Sequence, residues 1–161
     1  MDYSIFGKMD DEYKPNDGES ETEYMERIVR AVVEAPPAGE KPWFTELMEP
    51  VFRSCDAEEE VLCLEFTPQE WQTNPNGILH GGIISTAIDM TFGILTRYCV
   101  RTTKAVTMSL TINFMRSVPM EHPYYVRATA KRVGRRVKNL YAEVIDSVTG
   151  KRAADSTALF M

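Results

Sequence analysis

The sequence contains few of the residues from which metal and redox sites are built. Of its 161 residues, two are histidines and three are cysteines. His80 and His122 are too few for a typical structural or catalytic zinc site. Cys55, Cys63 and Cys99 have neither zinc nor redox spacing, and their odd number favours a reducing, cytoplasmic location. We therefore expect a protein that works without a metal ion or other cofactor.

Long uncharged apolar runs and an excess of basic residues are also missing. The longest apolar stretch, residues 83–100, contains Asp89 and Arg97 and is too short and too polar to span a bilayer. The formal net charge is -6, which argues against nucleic acid or an anionic membrane as a partner. Charged residues make up 26% and apolar residues 43% of the chain, as in ordinary globular proteins. The sequence therefore predicts a soluble protein.

The chain divides into a short tail and one domain. Residues 1–20 are acidic and show no sustained apolar period, so we interpret them as a mobile tail. The segment Ser20-Glu21-Thr22-Glu23 has capping-box spacing, and the apolar residues that follow it recur at helical spacing. This N-terminal helix ends by Pro36-Pro37. We expect residues 21–161 to form a single domain, large enough to bury a core.

Period-two alternation predicts six strands in the rest of the chain. Two precede the long apolar segment and four follow it, and the predicted ranges are 51–55, 61–66, 105–115, 124–133, 137–146 and 152–161. In the third of these strands the apolar residues all face one way: Val106, Met108, Leu110, Ile112 and Phe114. Tight turns between consecutive strands favour an α+β fold, in which an antiparallel sheet carries a long helix on one face.

The loop from Asn74 to Gly82 is the stretch with recognisable site chemistry. Gly81 and Gly82 leave space where the long helix begins, so a ligand oxygen can approach N–H groups at the positive end of the helix dipole. We expect Gly82 to contact the substrate there. Donors of this kind stabilise a developing oxyanion. His-Gly-Gly by itself is more often an ordinary turn, and this alternative stays open.

Asp89 lies opposite the apolar stripe of the predicted helix. Its neighbours on that side are mostly short, namely Ser85, Thr86, Gly93 and Thr96, and Arg97 is the only long charged one. Short neighbours favour close approach of another surface, such as a second subunit, although a merely solvated aspartate is the alternative. On a continuous helix, His80 and Asp89 are separated by roughly 13 Å and half a turn. If both contribute to one site, the simplest arrangement is a symmetric dimer in which His80 of one copy meets Asp89 of the other.

These residues resemble one known family. Asn74, Gly77, His80-Gly81-Gly82 and Asp89, followed by the strand residues 106–114, are similar to the hotdog-fold acyl-CoA thioesterases of the phenylacetate-degradation (PaaI-like) type. The resemblance covers about residues 45–161. It implies a curved antiparallel sheet wrapped around a long central helix, here with an extra N-terminal helix. It also implies a homodimer or homotetramer with active sites across the subunit seam, and acyl-CoA as substrate.

The same resemblance implies roles for individual residues. Asp89 is the nucleophile or the general base, and the Gly81 N–H polarises the thioester carbonyl. Asn74 and His80 position the thioester and support this polarisation. Thr107 matches a position where the family often carries a serine or threonine near the carboxylate. Because strand alternation turns Thr107 away from the apolar face, we expect it to reach the site along the seam or through a local bulge.

A basic turn is the remaining candidate for substrate binding. Arg135, Arg136 and Lys138 lie at a predicted hairpin turn, close to Lys131 and Arg132. Such a cluster in an acidic protein suits the nucleotide phosphates of CoA, although a solvated turn is an equally good interpretation.

The sequence leaves the acyl group and two rival functions open. The rivals are a non-catalytic acyl-CoA binding module and a hotdog hydratase or dehydratase of acyl thioesters. The residues that are candidates for lining an acyl pocket are Trp43, Trp71, Ile83, Met90 and Phe92, and each is more often plain core or interface.

Overall fold

The computed structural model describes residues 15–35, 43–100, 105–133 and 137–161. Within these ranges the helices are α1 (Glu21–Val33), α2 (Phe44–Met48) and α3 (Gly81–Val100). The strands are β1 (Val51–Asp56), β2 (Val61–Phe66), β3 (Thr107–Phe114), β4 (Tyr124–Val133), β5 (Lys138–Asp146) and β6 (Arg152–Phe160). The predicted order of helix, two strands, long helix and four strands is confirmed. Most of the predicted tail lies outside the described residues, so the mobile tail stays a prediction.

The six strands form one antiparallel sheet in the order β1-β2-β4-β5-β6-β3. β3 therefore lies at an edge, paired with β6, although β4 follows it in the chain. Helix α3 packs across the sheet and contacts every strand from β2 to β6. This arrangement is the α+β hotdog fold expected from the sequence, with a curved open sheet around a central helix.

Helix α1 begins at the predicted capping box. The Ser20 hydroxyl accepts a hydrogen bond from the Glu23 N–H, and the Glu23 carboxylate accepts one from the Ser20 N–H, so two otherwise unpaired donors are satisfied. The apolar face of α1 buries Tyr24, Met25, Ile28 and Val29. This face packs against β1 and α3, and it gives the central helix a second covering layer.

That second layer corrects one prediction about α3. The predicted apolar stripe is buried, but Thr96, which was placed among the short residues on the open side, is fully buried as well. The reason is that α1 covers this part of α3, where the Tyr24 and Tyr98 rings lie 5.8 Å apart. By length and mean hydropathy alone α3 passes as a membrane-spanning helix, but half of its most apolar window is buried within the domain. It is packed as a core helix.

Strand β3 departs from regular alternation. Its pairing with β6 slips between Thr107, opposite Phe160, and Ser109, opposite Leu159, so one extra residue is inserted there. A bulge of this kind reverses the faces before and after it. As a result Leu110 and Ile112 pack against the core, whereas Val106 and Met108 are 58% and 53% exposed. The prediction that all the apolar residues of this strand share one face is therefore wrong.

Candidate active site

The loop before α3 is held by its own hydrogen bonds. The Asn74 Oδ1 accepts a hydrogen bond of 2.9 Å from the Asn76 N–H, and Gly77 closes the turn with a φ of 71° that favours glycine. The Asn74 N–H donates to the Ile78 carbonyl at 2.9 Å. Among the described residues, no hydrogen-bond partner is found for the Asn74 side-chain NH₂ group. The side-chain oxygen of Asn74 thus stabilises the loop, and its NH₂ group can donate hydrogen bonds to a ligand.

His80 caps the first turn of α3. Its Nδ1 accepts a hydrogen bond of 3.0 Å from the Gly82 N–H, and its carbonyl accepts from the N–H groups of Ile83 and Ile84. Because Nδ1 is an acceptor, the neutral ring carries its proton on Nε2. The Gly81 N–H, in contrast, makes no hydrogen bond within the described part of the chain. A donor at the positive end of the helix is therefore left for a ligand oxygen.

Gly82 controls the orientation of His80. A Cβ added at Gly82 lies 3.1 Å from His80 Nδ1, closer than ordinary van der Waals contact. We expect Gly82→Ala to displace the imidazole and to lower kcat for thioester hydrolysis by about 10- to 100-fold, because small displacements of positioning groups are costly. Thermal unfolding separates this effect from loss of fold, since alanine is favoured over glycine in a helix. Unchanged kcat in a folded variant would contradict this role.

Asp89 and Thr107 meet on the other side of α3. The Thr107 hydroxyl donates a hydrogen bond of 2.6 Å to Asp89 Oδ1. The bulge in β3 makes this contact possible, because it turns the Thr107 side chain from the outer face towards the helix. Both residues line a cleft of about 270 Å³ between α1, α2, α3, β3 and β6. The structure thus places the predicted carboxylate and hydroxyl together, next to the bulge in β3.

The hydroxyl of Thr107 is expected to fix the Asp89 carboxylate. Thr107→Val keeps the shape of the side chain but removes the donor, and we expect kcat to fall about 10-fold as the carboxylate loses a charge-assisted hydrogen bond. Thr107→Ser keeps the donor and is the matched control, with activity close to that of the native protein. The measurement is steady-state hydrolysis of one acyl-CoA ester by all three proteins. A loss in Thr107→Ser without a loss in Thr107→Val would show that the methyl group, and not the hydroxyl, matters.

The structure brings the candidate residues together as two separate groups. Asp89 and Thr107 share the cleft, whereas the residues that line it do not include Asn74, His80 or Gly81. Helix α3 is continuous from Gly81 to Val100, so His80 and Asp89 are separated as the helical geometry predicts. Within one chain the two groups of candidate residues therefore do not meet.

Sequence reasoning missed part of the cleft wall. Phe44 and Thr45 of α2 contribute to it, and so does Arg97. No apolar period indicates α2, since it has only five residues. Of the residues considered for an acyl pocket, Met90 lines the cleft, whereas Phe92 is fully buried in the core.

Of the three residues predicted to bind phosphate, the structure describes Lys138. Arg135 and Arg136 lie outside the described residues. Lys138 is 4% exposed, because the alternation of β5 turns it inward together with Leu140. The part of Lys138 in phosphate binding, like that of the two arginines, stays a prediction.

His122 has a structural role. Its Nδ1 lies 2.8 Å from Asp146 Oδ2, and this contact ties the segment before β4 to the turn after β5. Burial raises the pKa of Asp146, but the bonds from His122 and from the N–H groups of Val148 and Thr149 outweigh it and lower the pKa to about 2. In the described ranges, no group of three His, Cys, Asp or Glu side chains is suited to a metal ion. That the reaction needs no cofactor stays a prediction.

The central helix, the sheet around it and the carboxylate beside the β3 bulge define a hotdog-fold protein. Residues 76–153, which contain the loop end, α3 and β3 to the start of β6, match the model of the thioesterase superfamily. From the end of the loop to the start of β6 the chain is therefore similar to this superfamily, and the match favours thioester hydrolysis as its class of activity. The resemblance seen in the sequence is confirmed.

Solved structures agree with this assignment of fold. PaaI from the phenylacetic acid degradation operon of Escherichia coli is 17% identical with a TM-score of 0.73, over 88% of this chain and 94% of that one. A Ralstonia eutropha protein related to phenylacetic acid degradation is 23% identical with a TM-score of 0.71, over 83% and 98%. A Streptococcus mutans protein bound to acetyl-CoA is 20% identical with a TM-score of 0.63, over 76% and 92%. No curated protein matches the sequence.

Proposed function

We propose that the protein hydrolyses acyl-CoA thioesters to a free acid and CoA. The observation that carries the proposal is the hydrogen bond between Thr107 and Asp89 inside a cleft, because it presents an oriented carboxylate to a bound ligand. The unpaired Gly81 N–H supplies the second requirement of acyl transfer, a donor for the carbonyl oxygen. Acetyl-CoA bound to the Streptococcus mutans structure supports an acyl-CoA ligand.

The proposed chemistry divides between the two halves of the site. The Gly81 N–H and the helix dipole polarise the carbonyl, while Asn74 and the Nε2–H of His80 hold the thioester in place. Asp89 then acts in one of two ways. As a general base it takes a proton from water as the water oxygen bonds to the carbonyl carbon. As a nucleophile it forms an anhydride that water later cleaves. In both routes the C–S bond breaks and CoA leaves as a thiolate that takes up a proton.

A complete site requires two copies of the chain. His80 and Asp89 lie nine residues apart, on opposite sides of the helix axis. In the proposed symmetric dimer, the loop of one copy therefore meets Asp89 of the other. The edge strand β3 supports this arrangement, because it exposes an unpaired edge next to Thr107 and carries exposed apolar side chains at Met108 and Phe114. A homodimer, or a homotetramer built from two such dimers, is therefore part of the proposal.

The site for the CoA nucleotide and the location of the protein rest on the sequence. Arg135 and Arg136 are proposed to bind the phosphates, together with Lys138. We propose a cytoplasmic location, because the three cysteines are free and the cytoplasm keeps thiols reduced. Acyl-CoA esters are present in the same compartment.

A thiol-release assay across a panel of acyl-CoA esters tests the proposal. We expect turnover of at least one ester with normal saturation behaviour. A protein that binds acyl-CoA but turns over none would be a binding module, the first rival. Consumption of an enoyl-CoA by hydration, without thiol release, would identify the second rival, a hydratase.

A further inference from the structure

Arg97 is the charged residue in the cleft that the proposed reaction does not use. Its Nε is buried and has no hydrogen-bond partner, and no ion pair or hydrogen bond of its guanidinium is found within the described ranges. The residue as a whole is only partly buried, but a donor that is withdrawn from water without a partner is costly to the fold. A ligand that brings a hydrogen-bond acceptor into the cleft would supply the missing partner.

Arg97 is placed to act on the far end of an acyl group. It follows Asp89 by eight residues, which puts it roughly 12 Å further along α3 and about 80° around it. Long side chains on a helix lean towards its N-terminus, so the guanidinium is carried back towards Asp89. Both side chains line the same cleft. A chain whose carbonyl is held beside Asp89 therefore points its other end at Arg97.

The cleft has an apolar part and a polar part. Among the described residues the apolar part includes Val32, Met90, Ile94 and Phe160, which suit methylene groups, and the threonines 45 and 86 add hydroxyl groups. The volume of about 270 Å³ is below the range of about 300–1,000 Å³ typical of whole drug-sized ligands. The cleft is thus too small for CoA and of a size for a short acyl group.

We propose that Arg97 selects acyl-CoA esters whose short acyl chain ends in a carboxylate, that is, mono-thioesters of dicarboxylic acids. The planar guanidinium matches a carboxylate with two parallel hydrogen bonds, and the terminal methyl group of a fatty acyl chain leaves it unpaired. This inference rests on the proposed hydrolysis at Asp89, because that reaction places the carbonyl end of the acyl group beside Asp89.

Esters matched in length test the inference. Glutaryl-CoA is compared with pentanoyl-CoA, and adipoyl-CoA with hexanoyl-CoA, by thiol release. In the native protein we expect kcat/KM to favour at least one carboxylated ester by about 10- to 100-fold, the value of a charge-assisted hydrogen bond pair. In Arg97→Leu this ratio falls to about one, and Arg97→Lys keeps part of it. Lys151→Leu removes the same charge from an exposed turn and keeps the full preference.

Several results would overturn the inference. A native protein without any preference, or an Arg97→Leu variant that keeps it, excludes Arg97 as the selecting group while leaving hydrolysis intact. A change of oligomeric state in Arg97→Leu, measured by sedimentation, with the preference retained, would instead assign Arg97 to a subunit contact.

A binding measurement separates this inference from the proposed function. Titration calorimetry compares glutaryl-CoA and pentanoyl-CoA on Asp89→Asn and on Asp89→Asn/Arg97→Leu. Tighter binding of the carboxylated ester that is lost in the double variant supports the role of Arg97, even if no ester is hydrolysed. Equal binding of both esters by the single variant refutes it.

Discussion

Asp89→Asn is expected to lower kcat/KM for acyl-CoA hydrolysis by about 100- to 10,000-fold, the usual contribution of a positioned base. Asparagine matches aspartate in size, and its side-chain oxygen still accepts the hydrogen bond from Thr107. The change therefore removes the charge and the proton acceptor while the cleft keeps its shape. Thiol release under steady-state conditions measures the loss.

Two controls make this result specific. Glu58→Gln removes one carboxylate from the exposed turn between β1 and β2 and should leave kcat/KM unchanged. Calorimetry should show that Asp89→Asn still binds the acyl-CoA ester, because binding groups are intact. If the Asp89 variant keeps more than a tenth of the native activity, the catalytic group lies elsewhere and the Thr107 pair is structural.

Subunit complementation is expected to restore activity from two damaged chains. His80→Ala removes the loop half of a site, and Asp89→Asn removes the carboxylate half. In a symmetric dimer that joins the two halves across the seam, a mixed dimer has one site with both defects and one site with none. A purified mixed dimer should thus have about half the native activity, and each parent dimer far less.

Co-expression of the two variants with different affinity tags, followed by two purification steps, isolates the mixed dimer. The activity of each parent dimer is measured beside it. A mixed dimer whose activity is the average of its parents' activities would mean that His80 and Asp89 do not serve one site across the seam. A chain that sediments as a monomer at assay concentrations while active would exclude a shared site altogether.

Local patterns in the sequence were sufficient to predict those features that depend on neighbouring residues alone. The capping box at Ser20 and Glu23, the continuous helix after Gly81 and the antiparallel strands were predicted, because helical and strand periods report which faces are buried. The geometry of α3 also allowed the separation of His80 from Asp89 to be derived from spacing. The functional class came from the resemblance, since composition alone left it open.

Features that depend on distant parts of the chain were missed. The bulge at Thr107 is set by pairing with β6, so strict alternation in β3 misplaced Met108. Thr96 is buried because α1 lies over it, and no pattern within α3 records this. The sequence placed Arg97 on the same side of the helix as Asp89, but only the walls supplied by α1, α2 and β6 reveal that it lines a cleft.

The edge position of β3 has a consequence for biosynthesis. Within the sheet, β3 pairs only with β6, which follows β4 and β5 in the chain. A ribosome therefore completes Asp89 and Thr107 well before the strand that aligns them, and their hydrogen bond awaits a contact distant in sequence, of the kind that forms slowly. The nascent protein has its core helix early, but its reactive carboxylate is oriented only once the sheet closes.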